Sequence, residues 1–141
     1  MSNITINSKE EAICQLFLHC CFKDGEFKTQ ELDFVSGLFV ELDLHTSLNF
    51  KDQVVKYKED KKSILDETDY LNSLLKQINP VHNYALFSYC AEILICDATL
   101  DLAEEKLLDH LAQLLEISVE KQEVIKTLTA QRKAVEMQKI F

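Results

Sequence analysis

Apolar positions recur at helical spacing along most of the chain. The first stripe is Ala12, Ile13, Leu16, Phe17, Cys20 and Cys21. It opens behind Ser8-Lys9-Glu10-Glu11, a capping box with Ser8 as N-cap and Glu11 reaching back to it. It stops at Asp24-Gly25, where glycine is free to take positive φ. A second helix begins near Thr29, carries Phe34, Val35, Leu38 and Leu42, and fades by Leu44-His45. Residues 46–79 are less regular. Asn49 caps a helix through Val54, Val55 and Tyr57, Asp60-Lys61-Lys62 reads as a loop, and a further helix carries Tyr70, Leu71, Leu74, Leu75 and Ile78. Asn79-Pro80 then opens a helix with Pro80 in its first turn, where a missing N–H costs nothing. Its stripe is Ala85, Leu86, Tyr89, Cys90, Ile93 and Leu94. After a break at Asp97 to Leu100, Asp101 and Glu104 form a second capping box ahead of Leu107, Leu108, Leu111 and Leu115. Ser118 caps a last helix with Val124, Leu128 and Val135 on one side. The pattern predicts an all-α fold of about seven helices of ordinary length.

The pattern repeats itself at an offset of 73 residues. Residues 12–44 align without gaps to 85–117, with Ala12/Ala85, Asp24/Asp97, Glu31/Glu104, Leu38/Leu111 and Leu42/Leu115 identical. Two amphipathic helices in phase would share apolar positions anyway, so the acidic pairs are more telling. In both copies an Asp at the end of one helix precedes, by seven residues, a Glu in the first turn of the next. Phe27 and Leu100 sit at the same place between them. Each copy therefore reads as a helical hairpin with the same turn. The expectation is a single domain over 1–141, in which hairpins 8–44 and 80–117 are related by a pseudo-twofold.

Composition narrows the class. A chain of 141 residues suits one domain with a full core. Two Gly and one Pro cannot supply the turns of a β-sandwich or barrel. The net charge of −9, with no strong basic cluster, argues against nucleic acid as a partner. The start, Met1-Ser2-Asn3-Ile4-Thr5, has neither the basic nor the apolar region of a signal peptide. No apolar run approaches the roughly 18 residues of a membrane span. Cys14, Cys20, Cys21, Cys90 and Cys96 lie in apolar helical stretches, which fits reduced, buried thiols and a cytoplasmic location. A zinc site using His19 lacks a CxxC pair, and adjacent Cys20 and Cys21 point to different sides of a helix.

Asp24, Glu31, Asp97 and Glu104 are the candidate site residues. Brought together by pseudo-symmetry, four carboxylates offer oxygen ligands to Ca²⁺, Mg²⁺ or Mn²⁺. The local alternative is that they cap turns and helix N-termini. An EF-hand is excluded: its first two ligand positions would fall on Cys20 and Phe22, and in the second copy on Ile93 and Ile95. The segments Leu18 through Asp24-Gly25-Glu26-Phe27 to Glu31, and Ile93 through Asp97-Ala98-Thr99-Leu100 to Glu104, resemble the TerB-like family. That tellurite-resistance-associated family implies an all-helical domain of two related halves, linked to stress or metal resistance, with a clustered acidic surface proposed to bind metal. Its functional positions correspond here to Asp24, Glu31, Asp97 and Glu104.

Catalytic chemistry has little support in the sequence. His19, His45, His82 and His110 are scattered, and no HExxH, GxSxG or phosphate-cradling glycine loop is present. Exposed or loosely bonded imidazoles are expected. The resemblance and the missing motifs imply a non-enzymatic interaction or scaffold domain with a protein partner. A divalent-cation-binding or sensing module is the alternative.

Overall fold

The structure, a computed structural model, describes residues 4–23, 29–95, 100–136 and 138. Within them the fold is seven α-helices and two 3₁₀ turns, with no strand. The helices are α1 (Lys9–Cys21), α2 (Thr29–Glu41), α3 (Phe50–Asp60), α4 (Glu67–Ile78), α5 (Asn83–Leu94), α6 (Leu102–Leu114) and α7 (Val119–Glu136). No described helix is long and apolar enough to cross a membrane.

α1 is the central helix and touches α2, α3, α4 and α5. It is buried nearly all round, with Ala12, Leu16, Phe17, Leu18 and Cys21 all in the core. Cys14, Cys20, Cys21 and Cys90 are buried free thiols, as expected, and Cys96 lies outside the described residues. The partners of α1 fix its neighbours' directions. Gln15 meets Gln53 and His19 meets Tyr57, both 38 residues on, so α3 runs parallel to α1. Ile6 meets Gln77 while His19 meets Glu67, so α4 runs antiparallel.

The local signals explain most helix ends. Ser8 Oγ accepts the Glu11 N–H at 3.0 Å, Asn49 Oδ1 that of Asp52 at 3.1 Å, and Ser118 Oγ that of Lys121 at 3.3 Å. The second capping box closes in both directions between Asp101 and Glu104. At the first, Glu11 differs from expectation. Its carboxylate accepts the Asn7 N–H, one residue before the cap, and it is drawn inward to Gln53. The expected loop at Asp60-Lys61-Lys62 is instead the last residue of α3 followed by a 3₁₀ turn over Lys61–Ser63.

One reading needs correction. Asn79-Pro80 closes a helix rather than opening one. Asn79 takes left-handed φ of 44° and its N–H donates to Leu75 O, a C-cap after which a proline commonly follows. α5 then starts at Asn83 behind His82. On α7, Val124, Leu128 and Val135 share a side, and that side is exposed, at 51%, 60% and 64%. The packed side is Ile125, Thr129 and Lys133, spaced at i, i+4 and i+8. Lys133 belongs there because its ammonium lies 4.2 Å from the centroid of the Phe34 ring on α2.

The 73-residue offset has a counterpart in the helix bounds. Shifting α2 by 73 gives 102–114, the bounds of α6, and shifting α1 gives 82–94 against the observed Asn83–Leu94. Burial follows the same shift at Cys14/Phe87, Phe17/Cys90, Cys20/Ile93, Val35/Leu108 and Leu38/Leu111.

Candidate functional site

The polar positions of α1 fall on one line. Glu11, Gln15 and His19 follow one another four residues apart on α1, so they stack on a single helix face, and Lys23, in the turn just past the helix end, continues the spacing. On an exposed helix this face would be solvated. Here α3 and α4 cover it, and the buried polar groups turn to protein partners, Gln15 Oε1 excepted, which has none among the described residues.

The partners form two clusters. At the N-terminal end, Gln15 Nε2 donates to Gln53 Oε1 at 2.8 Å and to Gln53 O at 3.1 Å. Gln53 Nε2 donates onward to Glu11 Oε2 at 2.8 Å. At the C-terminal end, His19 Nδ1 lies 2.8 Å from the Tyr57 hydroxyl and Nε2 lies 2.8 Å from Glu67 Oε2. Lys23 Nζ reaches the same Glu67 oxygen at 2.6 Å. Phe22 stacks on Tyr57 with centroids 5.2 Å apart, and Tyr70 lies against the His19 ring at 5.3 Å.

Chemistry sets the donor directions. An ionised Glu67 only accepts, so His19 Nε2–H donates to it. In the neutral imidazole Nδ1 must then accept the Tyr57 O–H. The hydrogen bond from His19, joined by that from Lys23, outweighs burial and holds the Glu67 carboxyl at about 2. Burial pushes the Tyr57 and Tyr70 phenols well above their ordinary range. Burial likewise raises the Cys14 thiol to about 12. For Cys20, contact with the Cys90 thiol comes first, then burial.

The order carboxylate–imidazole–hydroxyl has the connectivity of a nucleophilic triad. Its terminal hydroxyl belongs to Tyr57, which is 1% exposed, so no substrate reaches it. The group joins three helices. His19 was expected to be exposed or loosely bonded, and it is 6% exposed with both ring nitrogens engaged. The spacing of Glu11, Gln15 and His19 within an apolar helix, continued by Lys23 just past its end, was the available signal.

The acidic turns are described only in part. Asp24 and Asp97 lie outside the described residues, and Glu31 falls in α2. Glu104 is 6% exposed, and its Oε1 accepts the Asp101 N–H at 3.2 Å. That is the local capping role. Among the described residues no three His, Cys, Asp or Glu side chains form a group able to hold a metal ion. No family model, curated protein or solved structure matches the chain.

Proposed function

We propose that this chain is a TerB-like helical domain that acts by binding another protein, without catalysis, in a cytoplasmic stress or metal-resistance response. The observation that carries the reading is the outer side of α7. Val124, Leu128 and Val135 are more than half exposed there, along a helix whose opposite side is already packed. The placement of Val124, Leu128 and Val135 is that of an apolar row available to a partner. The closed state of the His19 cluster supports binding over catalysis, since its acid, base and hydroxyl satisfy one another inside the fold. The test is capture from a native cell extract by the wild-type chain and by Leu128→Glu. The reading expects a protein held by the wild type and lost by the variant, with the melting temperature unchanged. Equal capture by both chains would overturn it.

A further inference from the structure

The second hairpin repeats the first with one covering helix fewer. The α1 side that carries Gln15 and His19 is roofed by parallel α3 and antiparallel α4, and Ala12 is buried too. On α5, α7 takes the place of α3. Lys121 Nζ lies 5.5 Å from the Tyr84 ring centroid and Arg132 meets Glu92 at 2.9 Å, so α7 runs parallel to α5. Among the described residues no helix takes the place of α4. The counterparts of Ala12, Gln15 and His19 are Ala85, Ser88 and Glu92, of which Ala85 is exposed and the other two are half-buried.

The apolar row of α7 borders that open side. Leu128 stands seven residues after Lys121 and four before Arg132, so it lies on the side of α7 that meets α5. Val124, Leu128, Gln131 and Val135 follow at intervals of four, three and four. That is the spacing of a seam between two paired helices, and none of the four is charged. Ten large apolar side chains are exposed among the described residues. Val81, Tyr84, Val124, Leu128 and Val135, half of them, belong to this row or to the start of α5, so uncovered apolar surface gathers where a helix is lacking.

We propose that a second copy of this chain supplies the lacking helix, its α7 lying in the groove between α5 and α7 as α4 lies on α1. A twofold axis across α7 makes the exchange mutual and closed. The same axis sets the two α7 helices antiparallel, the direction that α4 takes against α1 and α3. With the axis near Leu128, Val124 of each copy comes opposite Val135 of the other. The inference rests on the reading of the α7 row as a protein-binding surface and names the partner as the chain itself. One helix pair and the start of α5 make a small interface, so the dimer forms at high concentration and dissociates on dilution.

The test is sedimentation equilibrium of the purified full chain from about 5 to about 500 μM, a range that spans weak protein association. The mass is expected to rise from 16.3 kDa to twice that and to stop there. Leu128→Glu is expected to stay at the single-chain mass throughout. Ala85→Glu, on the open side of α5 and away from α7 in sequence, is expected to weaken association at least about tenfold, as for a charge placed in an apolar contact. Glutamate suits that first-turn position, so the helix itself is kept. Leu65→Glu, an exposed leucine outside α5 and α7, is expected to associate as the wild type does. A wild type that stays single at 500 μM, a mass that climbs past two chains, or undiminished association in Leu128→Glu or Ala85→Glu would each overturn the proposal. The wild type staying single, while the extract capture still depends on Leu128, would sink the self-pairing and leave the protein-binding reading standing.

Discussion

α1 and α5 occupy equivalent places in the two repeated hairpins, yet they treat their polar positions in opposite ways. Gln15 and His19 of α1 correspond to Ser88 and Glu92 of α5. On α1 these positions are roofed by α3 and α4 and bonded at 2.8 Å. On α5 the equivalent Glu92 meets Arg132 of α7 at 2.9 Å, with the arginine side chain 52% exposed. The difference comes from the covering elements. Two helices and two 3₁₀ turns follow α2, whereas among the described residues α7 is the one helix that follows α6. A polar side chain under two helices has no water to fall back on, so its partner's position is fixed with it. One at the rim keeps water as an alternative, and its ion pair adds little.

The sharpest way to break this contrast is truncation at the equivalent positions. His19→Ala strands the Tyr57 hydroxyl and part of the Glu67 charge, and should cost about 3 kcal/mol in urea unfolding. Glu92→Ala should cost at most about 1 kcal/mol. Similar losses would erase the distinction between the halves.

Acid sharpens it further. The Glu67 carboxyl is lowered from 4.5 to about 2 by the His19 hydrogen bond first, so its contribution is present above pH 4.5. That contribution is lost as the pH falls through about 2, and it amounts to no more than about 3 kcal/mol before solvent screening. Glu67→Gln should therefore flatten the stability profile between pH 5 and 2. A profile as steep as the wild type's would place the acid-sensitive group elsewhere.

Smaller effects separate the remaining pairs. Gln15→Ala leaves Gln53 Oε1 and its carbonyl without their donor and should cost about 2 kcal/mol. Ser88→Ala, at the equivalent place on half-buried α5, should stay within about 0.5 kcal/mol. Tyr70→Phe removes a hydroxyl that has no partner among the described residues. It should be neutral or stabilise by up to about 1 kcal/mol in thermal melts, and a marked loss would mean the hydroxyl is satisfied.

Much of the helical order was legible because the chain announces its helix starts. Ser8, Asn49, Asp101 and Ser118 are short polar caps directly before periodic stripes, and all four cap as their residue types predict. What was not legible depends on tertiary cover. Whether Asn79-Pro80 ends one helix or starts the next turns on Asn79 entering left-handed φ. The packed side of α7 includes Lys133, and no local pattern says that Phe34 waits across the interface. The polar row of α1 was visible as a spacing, but its meaning required knowing that α3 lies parallel beside it.

The central claim is that the His19 cluster holds three helices together while its counterpart at the rim does not. Two double-mutant cycles in urea unfolding test it most directly, one on His19 and Glu67, the other on Glu92 and Arg132. The account predicts a coupling of about 2 kcal/mol for the first pair and less than about 0.5 kcal/mol for the second. Equal couplings, or a larger one at Glu92 and Arg132, would contradict it.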